Sequence, residues 1–300
     1  MKNWENTRIG GIPMKKRKKR SVWKKRMFIL CICLFAFYCV SWKQNHGQTQ
    51  GESSKKVVKH AEQVELSRPV YYEGEELTNK LKKLSHTSKK YQKIYENRHA
   101  YPEELLVGVC NNEEMLPFAL GYLERDSVSA GGYRESELQG ELPLLLQWDE
   151  RWGYAPYGTS CVGLSGCAPT CLAMVTVGLT GEAHWTPDQI AKFAEEEGYY
   201  QEGTGTAWAL MTDGASQFGI TGRELGLDQS VVKNELKNGH PIICSMGPGD
   251  FTSKGHFIVL AAWEDGAIRV YDPNSKKRSS VLWSYDTISS QVKNLWSFRA

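Results

Sequence analysis

Ser165-Gly166-Cys167-Ala168-Pro169-Thr170-Cys171 is a tight turn that runs straight into an apolar series, Leu172, Met174 and Val175. Pro169 suits the first turn of a helix, where its missing N–H would have no partner in any case. The pattern predicts a buried helix with Cys167 at or just before its N-terminus, where free N–H groups and the helix dipole favour a thiolate over a thiol. A nucleophilic thiolate needs a base. Among the later histidines, His256 has the strongest context, in Lys254-Gly255-His256-Phe257-Ile258-Val259-Leu260.

The segments around His256 read as strands. Pro241–Ser245 and Phe257–Trp263 are apolar runs, and Asp265-Gly266 is a turn signal before Ala267–Tyr271. Antiparallel strands joined at that turn bring the start of one beside the end of the next, so Asp272 can meet the imidazole of His256. A carboxylate there would fix the tautomer and aim the ring at Cys167, the logic of a nucleophile, base and orienter. The amide of Gln147 is a candidate donor to a developing oxyanion beside the Cys167 backbone N–H. Each residue also has a plainer explanation. His256 would serve as a hydrogen-bonded core histidine, Asp272 as a turn residue before Pro273, and Gln147 as a partner of the local backbone. Cys171, four residues after Cys167, is expected as a small core residue. Cys161, Cys167, Cys171 and His184 could be taken as metal ligands, but their spacings match none of the usual zinc patterns.

Outward from this centre, helix signals precede strand signals, which predicts an α+β domain over residues 141–300. Leu142–Gln147 is strand-like, and Trp148–Tyr157 an aromatic loop or hairpin. Thr186-Pro187-Asp188 opens a helix through Ile190, Phe193 and Ala194. Thr206 is expected to cap another through Trp208, Leu210, Met211 and Phe218, and Asn238-Gly239 to stop a third over Ser230–Lys237. Upstream, residues 75–126 form a helical spacer region. Leu77, Leu81, Leu84, Tyr91 and Ile94 share one face, Pro102 with Glu103 and Glu104 opens a second helix, and Asn111 or Asn112 caps a third. Those apolar stripes must bury against each other or against the C-terminal domain. Residues 127–140, with Ser127-Val128-Ser129-Ala130-Gly131-Gly132, read as a flexible linker.

Charge is unevenly placed. Residues 1–26 carry eleven Lys and Arg against a single Glu, a local +10 that leaves −7 for the rest of a chain whose total is +3. A nucleic-acid surface is therefore not indicated. The basic segment leads into an uncharged apolar run, residues 27–42, the order of a membrane-targeting signal. The run is shorter than the ~20 residues that cross the hydrocarbon core, although Trp23 and Trp42 could mark the interfaces and Lys24–Arg26 could snorkel. Bulky Phe37, Tyr38 and Trp42 stand where a cleavage site would have small residues, so an uncleaved single-pass anchor in the cell membrane is expected. The basic N-terminus would stay cytoplasmic and the bulk of the chain extracellular, joined by a polar stalk over residues 43–74. Of eight cysteines, Cys31, Cys33 and Cys39 lie in the apolar run. The other five are an odd number, so at least one thiol is free unless it pairs with another molecule.

Several of these segments, in this order, resemble the papain-like cysteine peptidases of the bacteriocin-processing, double-glycine group. They are Gln147-Trp148-Asp149 with Arg151-Trp152, Gly166-Cys167-Ala168-Pro169-Thr170, Gly178-Leu179-Thr180-Gly181, Gly255-His256-Phe257-Ile258-Val259-Leu260 and Asp272-Pro273-Asn274-Ser275. The chain is similar above all to stand-alone members, secreted or anchored, of Gram-positive bacteria. The resemblance covers about residues 142–298. It implies a papain-like fold with Cys167 as nucleophile, His256 as general base, Asp272 as its orienter and Gln147 in the oxyanion hole. It also implies a peptide or protein substrate and no cofactor or metal. Two departures stand out: Ala168 replaces the usual Gly after the cysteine, and Gln147 lies twenty residues before Cys167, a longer interval than in papain-type enzymes. The alternatives are a peptide-binding module that has lost turnover, or a cell-wall amidase or acyltransferase. Wall enzymes of this fold usually place His third, where this chain has Asp272. If a double-glycine preference applies, Gly131-Gly132 is a candidate site of self-release, against the simpler role of a linker.

Overall fold

The computed structural model describes residues 66–125, 129, 131–139 and 142–300, all within one unit, Lys59–Ala300. The expected basic segment, anchor and most of the stalk lie outside the described residues, as does part of the linker. Among the described residues, no helix is long and apolar enough to cross a membrane.

The N-terminal helices are α1 (Gly74–Ser85), α2 (Lys89–Glu96), α3 (Glu103–Asn111) and α4 (Leu116–Gly121). Ser88 ends the first apolar face and starts the next, its hydroxyl accepting the Tyr91 N–H. Pro102 is extended and stands at the entrance of α3, with Glu103 and Glu104 in the first turn beside the positive end of the dipole. The Asn112 side chain accepts the Glu114 N–H and caps the 3₁₀ turn that leads into α4.

The apolar stripes of α1–α4 bury against one another and against the rest of the chain. Leu81, Ile94, Leu105, Val109 and Phe118 share one core with Leu146, Trp148 and Cys161. Phe118 is the plug of this contact. Its ring stacks on Tyr154 at 4.6 Å between centroids, the Tyr154 hydroxyl donates to the Phe118 carbonyl at 2.9 Å, and its edge lies where a Cβ on Gly163 would come within 2.3 Å. Only glycine at 163 permits that approach.

The remaining elements are β1 (Pro156–Tyr157), β2 (Ser160–Cys161), α5 (Val162–Ser165), α6 (Cys167–Thr180), α7 (Pro187–Glu196), β3 (Tyr200–Gln201), β4 (Gly205–Thr206), β5 (Thr221–Glu224), α8 (Gln229–Lys237), β6 (Ile242–Met246), β7 (His256–Glu264), β8 (Ala267–Tyr271), α9 (Lys276–Ser279), β9 (Leu282–Trp283), α10 (Tyr285–Ser289) and β10 (Val292–Arg299). Six strands form an antiparallel sheet in the order β5-β10-β6-β7-β8-β9. The helices and this sheet give the expected α+β fold. Helix α6 is buried from Ala168 to Val177 and lies against β7 and α7. Its all-round apolar composition is that of a central helix.

The expected hairpin is present, with positive φ at both Asp265 (48°) and Gly266 (85°), as a two-residue turn matched to the strand twist requires. Three local readings differ. Leu142–Gln147 forms no strand, ending in a turn at Gln147, because its backbone serves loop contacts: the Leu146 carbonyl accepts the Trp152 indole N–H at 2.8 Å, and the Gln147 N–H donates to the Pro273 carbonyl at 2.8 Å. The expected helix after Thr206 is two short 3₁₀ turns, Trp208–Met211 and Gly214–Phe218, and the Thr206 hydroxyl is engaged with the Tyr157 hydroxyl at 2.6 Å instead of capping. Strand β10 was not anticipated, yet it sits between β5 and β6, with Leu295, Trp296 and Phe298 buried.

Candidate active site

The turn before Cys167 is shaped by sterics and by one carbonyl. A Cβ on Gly166 would fall 2.5 Å from the Val162 carbonyl oxygen, and that oxygen accepts the Gly166 N–H at 2.8 Å. The Gly166 carbonyl then accepts both the N–H and the hydroxyl of Thr170, at 3.0 and 2.7 Å. Cys167 is thus the first residue of α6, partly exposed, while Ala168 behind it is fully buried. Cys171 is wholly buried one turn on, and burial pushes its thiol well above the ordinary range.

His256 begins β7, opposite Met246 of β6, and its ring is 8 % exposed. Asp272 follows the end of β8 and is fully buried. The imidazole Nε2 and the Asp272 Oδ1 are 2.7 Å apart, and Cys167 is near enough on the other side to act electrostatically on the ring. With Nε2 taken by the carboxylate, Nδ1 is the nitrogen left to face the thiol. Burial, the largest influence on His256, lowers its pKa. Asp272, and after it Cys167, outweigh burial and raise the pKa to about 9.

A fourth residue completes this line. Arg278, 6 % exposed on the one-turn helix α9, donates its Nε–H to Asp272 Oδ2 at 2.5 Å. The Asn274 N–H donates to Oδ1 at 2.7 Å. Desolvation alone would raise the Asp272 carboxyl, but the Arg278 and His256 charges hold it well below the usual carboxylate range. The buried carboxylate is therefore ionised and has partners on both oxygens, as burial demands. Arg278 escaped the sequence reading because Lys276-Lys277-Arg278 has the look of a solvated basic run.

Gln147 is buried and lies beside the cysteine turn. Its Nε2 donates to the Gly163 and Leu164 carbonyls at 3.0 and 3.3 Å, while its Oε1 has no partner. In this geometry the amide N–H groups are committed to the backbone, and donation to an oxyanion requires the amide to release them.

Cys167, His256 and Gln147 line one cleft of about 270 Å³. Its opposite wall belongs to the N-terminal helices. Glu104, Val107, Gly108 and Asn111 recur at three- and four-residue spacing along α3 and face the cleft, whereas Leu105, Leu106, Val109 and Cys110 face the helical core. The same module fastens the Asp272 loop. The Asn112 Nδ2 donates to the Asn274 carbonyl at 2.5 Å, and Glu114 Oε2 accepts from the Ser275 hydroxyl and the Lys276 N–H at 3.1 and 3.0 Å.

The four-ligand metal arrangement is not assembled: Cys161 is buried in the helical core, and His184 is 60 % exposed and pairs with Glu182. Among the described residues, no cluster of three or more His, Cys, Asp or Glu is placed to hold a metal. The five cysteines outside the apolar run are all unpaired. Gly131-Gly132 does not line the cleft, and the Gly132 carbonyl accepts from Arg151 Nη1 at 2.9 Å. Tyr133, within the expected linker, donates its hydroxyl to the Trp185 carbonyl at 2.7 Å.

Residues 140–299 match the Peptidase_C39 like family, and the chain belongs to that family. Among solved structures it is similar to the peptidase domain of Streptococcus ComA, described as a bifunctional ABC transporter of a quorum-sensing pathway. That match has 18 % identity and a TM-score of 0.34, over 44 % of this chain and 89 % of that one. It is also similar to a structure described as a C39-like peptidase from Bacillus anthracis, at 14 % identity and a TM-score of 0.30, over 52 % of this chain and 94 % of that one. None of the curated proteins matches.

Proposed function

We propose that the chain is a cysteine peptidase, anchored by residues 27–42 with its catalytic domain extracellular, and that Cys167, His256 and Asp272 carry the reaction. The observation that carries this reading is the buried line His256–Asp272–Arg278, which opens at His256 into the cleft that Cys167 also lines. His256 takes the thiol proton and the sulfur attacks a peptide carbonyl carbon. The tetrahedral intermediate collapses with loss of the C–N bond, the imidazolium gives its proton to the leaving amine, and a thioester remains. Water activated by the now neutral imidazole attacks that thioester, releasing a carboxylic acid and restoring the thiol. Asp272, held ionised by Arg278, stabilises the imidazolium formed in each half-reaction. The Cys167 N–H at the start of α6 is one oxyanion donor. Gln147 supplies the second once its amide turns from Gly163 and Leu164.

The test is hydrolysis of a peptide library and of whole peptidoglycan by the full chain and by Cys167→Ser. Peptide cleavage lost in the variant is the expected outcome. Cleavage retained in the variant would reject Cys167, while activity on peptidoglycan alone would favour a wall amidase. Peptide binding without cleavage by the wild type would favour a binding module.

A further inference from the structure

The extended segment just before α1 is tied to both walls of the cleft. On the α3 side, the Asn111 side chain grips the Val70 backbone twice, accepting its N–H at 2.7 Å and donating to its carbonyl at 2.8 Å. On the catalytic side, Arg68 Nε donates to Asp250 Oδ1 at 2.8 Å, and the Lys254 ammonium lies 3.5 Å from the centre of the Tyr71 ring. Asp250 and Lys254 belong to the loop that delivers His256. Pro69, between these ties, lines the same cleft as Cys167.

We infer that residues 68–71 form a strap across the peptide cleft, so that a substrate reaches Cys167 end-first, as a free unfolded chain terminus, and not as the interior of a loop. This rests on the peptidase reading for its biological meaning, but the geometry is independent of turnover. A chain seated laterally in a groove must clear both rims at once, and a backbone fixed from rim to rim denies that at its crossing. A terminus needs only to slide past. The grip on Val70 uses the two groups that one residue of an extended peptide presents to a neighbouring strand. Leu66 and Tyr72 pack on either side of the strap, while residues 68–71 themselves are held across the cleft mainly by polar ties and loosen when those are removed.

The experiment compares two alkylating peptides of one composition, each with an iodoacetyl group on a lysine side chain. One is linear and the other is closed head to tail. Their rates at Cys167 of the full chain, read by peptide mass spectrometry and normalised to iodoacetamide, are measured in wild type and in Arg68→Ala/Asn111→Ala. Wild type is expected to prefer the linear reagent by roughly tenfold, and the double variant to bring the ratio close to one, as loss of two polar ties of ordinary strength predicts. Arg68→Ala alone removes only an exposed ion pair and serves as a second variant whose folding is not at risk, with an intermediate ratio expected. A wild-type ratio near one, or a ratio that the variants leave unchanged, overturns the inference, as does a Cys167 that no reagent reaches. Failure to hydrolyse any peptide would count against the peptidase reading alone, because alkylation needs no turnover.

Discussion

Replacing Arg278 by Met removes the cation from a buried carboxylate while keeping most of the apolar stem. Arg278 and Asp272 are 6 % and 0 % exposed, so water cannot take over the lost contact without opening the loop. Removing one partner of a buried ion pair costs about 3–5 kcal/mol. Asp272 keeps two other donors, the His256 ring and the Asn274 N–H, which places the expected loss near the lower figure, about 3 kcal/mol. For a domain of this size that lowers the melting temperature by roughly 6–12 °C. The decisive comparison is a double-mutant cycle by chemical denaturation with Asp272→Asn, which removes the charge and keeps the shape. Once position 272 is uncharged, Arg278→Met should cost less than in the wild type, with a coupling energy above about 1 kcal/mol. A loss under about 1 kcal/mol for Arg278→Met, or strict additivity, would refute the claim that Arg278 holds Asp272 ionised.

Two further outcomes follow from the same contacts. Phe118→Ala empties the plug between the helical module and Gly163 and should cost about 3–5 kcal/mol; a cost near 1 kcal/mol, read by urea denaturation, would mean that the module is not seated through that ring. His256 also sets a pH dependence. Its folded pKa of about 9 lies above the ordinary ~6.5, so its contribution is complete below ~6.5 and is lost as pH rises through about 9. Wild type should therefore lose up to roughly 3 kcal/mol between pH 6.5 and 9.5, and His256→Gln should not, in parallel denaturation curves. Asp272, held low, acts oppositely: its contribution is present above ~3.9 and fades as pH falls below that value.

The local grammar of the chain made much of the domain legible. The Gly166-Cys167 turn, Pro169, and the apolar residues after it define a buried helix start by sterics and dipole alone. The Asp265-Gly266 turn fixes the hairpin, and from the hairpin follows the approach of Asp272 to His256. Strand β10 is hard to read because Val292–Arg299 mixes Lys293, Asn294 and Ser297 with its apolar residues, and its place between β5 and β6 depends on partners distant in sequence, such as Glu224 for Trp296 and Met246 for Val292. Thr206 misled because a hydroxyl suited to a cap found a better partner in Tyr157.

What the sequence determined by itself were the features that depend on neighbours in the chain: a thiol at a helix N-terminus, the hairpin, and the amphipathic stripes of residues 75–126. What only the tertiary structure decided were contacts between charges and surfaces far apart in sequence. Arg278 looks solvated until α9 folds back over Asp272, and Gln147 looks like a free donor until the carbonyls of Gly163 and Leu164 occupy its amide. The helical stripe on α3 has two faces, and periodicity alone assigns neither of them a neighbour. Burial of Phe118 against Gly163 turns one of those faces into the far wall of the cleft.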